Sequence, residues 1–229
     1  MKELIKISII RTIPVMAGYL ALGFGFGILM ETNGYSVWYS LAMSLFIYAG
    51  SMQFVAIGLL TSGASLITAA VTTLMVNARH LFYGISMVEP YKNTGKKKFY
   101  LIFSLTDETY ALVCAGGYPE GINPHQYSLC VSLLNHIYWV TGSVLGSLIG
   151  ALISFNSTGI DFAMTALFIT VVVDQWKNTS NHLPALSGIT ASLVCLLLFG
   201  AESFLIPSMM LIIAVLIIGR KTVENKGGF

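Results

Sequence analysis

Eight apolar stretches occupy most of this chain: residues 12 to 30, 38 to 60, 65 to 88, 99 to 118, 127 to 155, 161 to 176, 183 to 201 and 203 to 219. Several approach or exceed the roughly 20 mostly apolar residues that a membrane-spanning helix needs. With 55% apolar residues, only 10% charged ones and a mean hydropathy of +0.78, the sequence excludes an ordinary soluble domain. No stretch sustains the apolar/polar alternation of a membrane β-barrel strand, and lipid leaves a backbone few alternatives to the helix. The expected fold class is all-α: a polytopic membrane helical bundle of about seven or eight segments, with residues 1 to 229 as one transmembrane domain.

Charge placement makes the crossings harder to count. Ten of the twelve Lys and Arg fall in three clusters: Lys2, Lys6 and Arg11; Lys92, Lys96, Lys97 and Lys98; Arg220, Lys221 and Lys226. The positive-inside rule puts all three on the cytoplasmic side. Yet three stretches separate the first cluster from the second and five separate the second from the third, and odd numbers of full crossings cannot return a chain to one side. Either a cluster is outside or some segment is re-entrant. Freed backbone groups at membrane depth are tolerated only where protein or a water-filled cavity satisfies them, so Gly and Pro should mark such a break. Two places qualify: "LGFGFGILM", with Gly23, Gly25 and Gly27, and "YAGSMQF", with Gly50, Ser51 and Gln53. Close helix packing through small residues is the alternative for the first, and a hydrogen bond to a neighbouring helix for the second.

The stretch "TTLMVNARHLFYG" puts Arg79 and His80 deep in an apolar run, while Asp107 and Glu108 sit near the centre of "FYLIFSLTDETYALVCAGGY". A charge at the bilayer centre costs about 2.5 to 3.5 kcal/mol on insertion scales, so pairing of Arg79 with Asp107 or Glu108 is expected. On a continuous helix Thr73, Asn77, His80 and Gly84 share one polar face while Arg79 points aside. Adjacent Asp107 and Glu108 point in different directions and need not share a role. "LLNHIYWVTG" adds Asn135 and His136. A buried structural ion pair, and a hydrogen-bonded structural His136, are the plainer readings of these groups. Asp161, and Asp174 through Lys177, read as segment boundaries, Glu202 as a turn residue, and Trp38 and Trp176 as interfacial aromatics.

Other chemistries lack their signatures. Cys114, Cys130 and Cys195 are scattered without metal-ligand or disulfide spacing. His80, His125, His136 and His182 form no close pair, so neither a metal nor another cofactor is expected. No nucleophile elbow and no P-loop occur, which argues against an enzyme and against ATP as the direct energy source. The small net charge of +2 gives nucleic acid no footprint. The basic start followed by an uncleaved apolar run reads as a retained first span. "GFGILMETNGYSVWYSLAMSLF" and "GSLIGALISFNSTGIDFAMTALF" hint at an internal duplication of the kind transporters use.

Taken in order, "GFGFGIL", "SLFIYAGSMQFVAIGLL", "VNARHLFYGISM", "SLTDETYAL" and "GIDFAMTALF" resemble the AzlC family, the large subunit of bacterial branched-chain amino acid exporters linked to azaleucine resistance. The resemblance covers roughly residues 10 to 175. It implies a multi-pass protein of the bacterial cytoplasmic membrane that exports branched-chain or similar apolar amino acids by secondary transport. It also implies a small, hydrophobic AzlD-like partner in a separate chain. Motif positions carried over as candidate site residues are Ser51, Gln53, Asn77, Arg79, His80, Asp107 and Glu108. The substrate is then expected near Gly23, Gly25, Gly27, Gly50, Ser51, Gln53, Asn77 and His80. Arg79, His80, Asp107, Glu108 and His136 are the candidates for proton coupling or an intramembrane ion pair. A channel-like facilitator or a membrane scaffold is the alternative.

Overall fold

The computed structural model describes residues 2–114, 118, 121–152, 162, 166, 169, 172–173, 176–177, 182–200 and 204–219. It divides into two compact units, Met1–Met164 and Thr165–Phe229. All regular structure among the described residues is helical. The first unit contains α1 (Lys2–Thr32), α2 (Val37–Phe46), α3 (Gly50–Thr61), α4 (Leu66–Val76), α5 (Ala78–Ser86), α6 (Lys97–Phe103), α7 (Asp107–Cys114) and α8 (Pro124–Leu152). In the second unit, α9 (Leu183–Phe199) and α10 (Leu205–Ile218) pack on one another. They are joined through Gly200, whose φ of 73° suits a residue without Cβ. In this unit the Trp176 ring stacks on His182 at 4.0 Å.

Among the described residues, two helices, α1 and α8, are long and apolar enough to cross a membrane. They form the spine of the first unit. Small residues recur along the buried stripe of α8, at Ser128, Ser132, Gly142, Ser143, Gly146 and Ser147, and Gly23 and Gly27 answer them on α1. A Cβ on Gly23 would stand 2.9 Å from the Trp139 carbonyl oxygen, and one on Gly142 2.8 Å from that of Leu20. At Gly27 and Gly146 it would overlap the backbone carbonyls of Ser143 and Phe24 outright. The two backbones therefore touch, as in small-residue helix pairs of membranes. This corrects one expectation: "LGFGFGILM" is unbroken helix, so Gly23, Gly25 and Gly27 free no backbone groups, and Gly23 and Gly27 are sealed against α8.

Contacts climb both helices together. Gly23 lies beside Trp139 to Ser143, Gly27 beside Ser143 to Ser147, and Ile28 and Glu31 beside Gly150. The helices are thus parallel, and the chain between them returns to the end from which α1 started. These two helices lead the two similar stretches noted in the sequence; the second of those stretches, from residue 153, lies almost wholly outside the described residues.

Among the described residues, three of the apolar stretches are interrupted. Stretch 38 to 60 breaks at residues 47–49, between α2 and α3, where Tyr48 holds φ at 44°. Stretch 65 to 88 breaks at Asn77, and stretch 99 to 118 at residues 104–106. The first break turns the chain round. Its two arms, with Met43 on α2 and Phe54 and Ile57 on α3, pack in one cluster with Phe26, Leu29 and Met30 from the far half of α1. The Phe54 ring lies 5.8 Å from that of Phe26. The pair α2–α3 is a hairpin that enters from the far end and leaves by it. α4 and α5 then run to the starting end, where Met87 and Tyr91 meet Leu4, Ile7, Leu101 and Tyr127. The pair α6–α7 is a second hairpin from that end, since Leu101 before its turn and Val113 after it join the same cluster.

This geometry resolves the charge count in the first half. Between Lys2, Lys6 and Arg11 and the Lys92 to Lys98 cluster there are two passages, not three, because α2–α3 does not cross. Both clusters lie at the end where α1 begins. The two hairpin turns meet between the ends, with the Tyr48 ring 6.2 Å from Phe103 and the Tyr19 hydroxyl 2.7 Å from Thr106 Oγ1.

Two outcomes check this packing. Gly27→Leu should abolish the α1–α8 contact and most of the folded yield, because the overlap falls on backbone and exceeds the about 1 to 3 kcal/mol typical of overpacking. Gly18→Ala, where a Cβ meets nothing within 4 Å, should express normally. In a cysteine-free background, Gly34→Cys and Ser62→Cys should react with an impermeant thiol reagent from one side of the membrane, and Asn93→Cys from the other. Labelling of Gly34→Cys and Ser62→Cys from opposite sides would rule out the first hairpin.

Candidate functional site

The three interruptions place the first turns of α3, α5 and α7 together, and each first turn carries polar residues. α3 begins Gly50, Ser51, Met52, Gln53; α5 begins Ala78, Arg79, His80; α7 begins Asp107, Glu108. Carboxylates at a helix N-terminus are favoured by the dipole, whereas a cation there is not. Arg79 is compensated by its partners. Its Nη1 lies 2.6 Å from Asp107 Oδ2, and its Nη2 donates to Ser51 Oγ at 2.8 Å. The side chains of Arg79 and Asp107 remain 35% and 31% uncovered by the protein, so the pair is not sealed in the core.

Glu108 does a different job. The Tyr19 hydroxyl donates to its Oε2 at 2.6 Å, and behind Tyr19 stands Thr106 at 2.7 Å, with Thr109 3.0 Å further on. Thr106 also caps α7, its Oγ1 accepting from the Thr109 backbone N–H at 3.3 Å. Asn135 of α8 donates to Thr109 Oγ1 at 3.0 Å. The two neighbouring carboxyls have different partners: Asp107 holds a guanidinium, and Glu108 ends a chain of neutral hydroxyls.

The turn between α2 and α3 is held from α8. Trp139 Nε1 donates to Gln53 Oε1 at 2.9 Å, and Gln53 Nε2 reaches Ser44 Oγ at 3.4 Å. The carbonyl of Ser44, freed near the end of α2, accepts from His136 Nε2 at 3.1 Å. Since a carbonyl only accepts, Nε2 carries the hydrogen, and Tyr100 OH meets the other ring nitrogen, Nδ1, at 3.0 Å. His136 also stacks on Tyr48 at 4.2 Å. Gly50 is needed for clearance, because a Cβ there would lie 3.0 Å from the Trp139 ring. Beside His136 an apolar recess of about 170 Å³ is lined by Leu45, Tyr100, Leu133, Ile137, Val140 and Thr141.

Of the candidates read from the sequence, Ser51, Arg79 and Asp107 meet in one network, and Gln53 and His136 hold the neighbouring turn. A second correction concerns Asn77. The face shared by Thr73, Asn77, His80 and Gly84 required a continuous helix, but α4 ends and α5 starts at Asn77, with φ −94° and ψ 6°. The His80 N–H bonds the Asn77 carbonyl, and the His80 ring meets Tyr83 edge-on at 6.0 Å. Asn77 Oδ1 and Arg79 Nε are buried without a hydrogen-bond partner among the described residues. Sequence reasoning missed Tyr19, Tyr48, Thr106, Thr109 and Trp139. The Thr-Asp-Glu run at residues 106 to 108 was the available signal: a cap residue followed by two acids marks a helix start, and inside an apolar stretch a start means a break.

Comparison with known proteins places this architecture. A family model described as AzlC protein matches residues 14–153. The chain is 46% identical over 214 residues to "Branched-chain amino acid transport protein AzlC" of Bacillus subtilis, covering 93% of this chain and 84% of that protein. It is 45% identical over 214 residues to an "Uncharacterized membrane protein" of Helicobacter pylori, covering 93% and 94%. It is 28% identical over 192 residues to "Inner membrane protein YgaZ" of Escherichia coli, covering 78% of each chain. No solved structure matches.

The Arg79–Asp107 pair should behave as a coupled unit. Arg79→Gln and Asp107→Asn should each lower the thermal stability of the purified protein in detergent. The double variant should recover part of that loss, giving a coupling of about 1 to 3 kcal/mol in a double-mutant cycle. Strict additivity would show that the two side chains act independently.

Proposed function

Because the chain belongs to the AzlC protein family, whose Bacillus subtilis relative is named a branched-chain amino acid transport protein, we propose that it is the large subunit of a secondary transporter that exports branched-chain or other apolar amino acids. In this reading the transport is proton-coupled, residues 1 to 229 act as one transporter domain, and a small hydrophobic membrane protein completes it. The observation that carries the proposal is the meeting of three helix interruptions beside a partly uncovered Arg79–Asp107 pair. Interrupted helices at membrane depth offer what a zwitterion needs. N–H groups at half-helix starts favour a carboxylate, and carbonyls at half-helix ends favour an ammonium group.

Among the candidates for the substrate, Ser51 and Asn77 stand at these interruptions, and Arg79 and Asp107 supply one charge of each sign. The apolar recess beside His136 suits the aliphatic side chain. At about 170 Å³ it is smaller than the roughly 300 to 1,000 Å³ of drug-sized pockets, the right order for a ligand of a few carbon atoms. Gly23 and Gly27 leave the substrate set, since both are consumed in helix packing. The positive-inside rule puts the end bearing Lys92 to Lys98 in the cytoplasm. The α6–α7 hairpin then enters from the cytoplasm and α2–α3 from outside.

Reconstitution tests the proposal. Proteoliposomes holding the protein, with and without a co-purified small subunit, should show saturable flux of labelled Leu, Ile, Val or Met and should support counterflow. Flux that rises linearly with concentration without counterflow would make the protein a channel. Absence of flux in both preparations would make it a scaffold.

A further inference from the structure

Three hydroxyls in series, those of Tyr19, Thr106 and Thr109, stand behind Glu108. Thr106 can donate its hydroxyl hydrogen to Thr109 Oγ1 at 3.0 Å, and Thr109 also receives the Asn135 amide hydrogen. Tyr19 stands 2.7 Å from Thr106 Oγ1 and 2.6 Å from Glu108 Oε2. Both separations are within hydroxyl hydrogen-bond range, yet Tyr19 has a single hydrogen to give. With Glu108 ionised, Tyr19 donates to the carboxylate and accepts from Thr106, since either hydroxyl of that pair can donate. With one proton on Glu108, the carboxyl donates to Tyr19, Tyr19 to Thr106 and Thr106 to Thr109, and every contact is filled. The same heavy-atom positions serve both forms. The hydroxyl hydrogens of Tyr19 and Thr106 change sides.

The groups around Glu108 fit this use. From α1 it meets Tyr19, and from the turn between α2 and α3 Tyr48 stands within electrostatic range. On its own hairpin lie Thr106, Thr109 and Asp107, and Asp107 is held by Arg79 of α5, the residue before His80. From α8 comes Asn135, through Thr109. The nearby cation is thus committed to Asp107, and the neighbours of Glu108 on α1 and α8 are uncharged. Asp107 is engaged by the Arg79 guanidinium. His80 lies outside the hydroxyl chain.

We propose that Glu108 is the residue that takes up and releases the coupling proton, with Tyr19, Thr106 and Thr109 as its hydrogen-bond relay and Arg79–Asp107 as a fixed charge pair. The proposal rests on the proton-coupled reading above and adds to it which carboxyl acts. No bond other than O–H is made or broken: the proton arrives on a carboxylate oxygen and leaves from it.

The test uses the full-length protein in proteoliposomes, with labelled Leu as the probe. For the wild type, an imposed pH gradient should drive accumulation. E108Q should still exchange Leu in counterflow, with a rate that no longer varies with pH, and should lose gradient-driven accumulation. E108D, which keeps an acid on a shorter arm, should recover a pH-dependent rate. Infrared spectra of the purified protein should contain a protonated-carboxyl carbonyl band that titrates in the wild type and in D107N, a readout that needs no folded E108Q. A gradient response that survives in E108Q, or a titrating band lost in D107N, would overturn the assignment to Glu108 while leaving proton coupling intact. A wild type indifferent to the gradient would take down the coupled reading and this assignment together.

Discussion

Backbone contact between α1 and α8 is the condition for everything else in the first unit. Where Gly27 and Gly146 bring the two main chains together, no side chain intervenes to loosen the register, so the height of each residue on α8 is set against α1. That register puts Asn135, His136 and Trp139 at the level where the two hairpins turn. It also makes the helices parallel, which obliges the intervening chain to come back to where it began. Hydrocarbon offers no substitute for this contact, because lipid tails compete equally well for larger apolar side chains.

Around this spine the chain leaves helix ends where a membrane protein can least tolerate them, and each is answered by a nearby group. The Ser44 carbonyl is answered by His136, the start of α7 by its own Thr106, and the guanidinium on α5 by Asp107 and Ser51. The polar groups are therefore not independent decorations of apolar helices. Arg79 draws its partners from two other interruptions, Asp107 and Ser51, while Ser44 is met from α8. Such cross-satisfaction makes partial disruption costly, since removing one partner strands the other.

How much of this was legible in the sequence follows from what each signal measures. Apolar length located the stretches, the rarity of charge in lipid pointed to a partner for Arg79 at Asp107 or Glu108, and the arithmetic of Lys clusters left either a cluster outside or a segment that fails to cross. The Gly spacing of residues 23 to 27 was ambiguous because glycine both breaks helices and lets them touch; only the matching stripe on α8 decides between these uses. The polar face through Asn77 misled because a helical wheel assumes an unbroken helix, and Asn is itself a residue that favours helix ends. Tyr48 at φ 44° had no signal, since that backbone is held by the surroundings of the ring and not by any local preference.

The order in which the chain is made gives the spine a further significance. Both hairpin turns depend on α8, through His136 and Trp139 for the first and Asn135 for the second, and α8 leaves the ribosome after both. A nascent chain that ends before residue 124 therefore holds two bent segments whose polar ends have no α8 partner. The hairpins must wait, at the insertion machinery or in a shallow position, until the last of their supports has been synthesised. The contacts that hold both turns from α8 can therefore form only after α8 has been made.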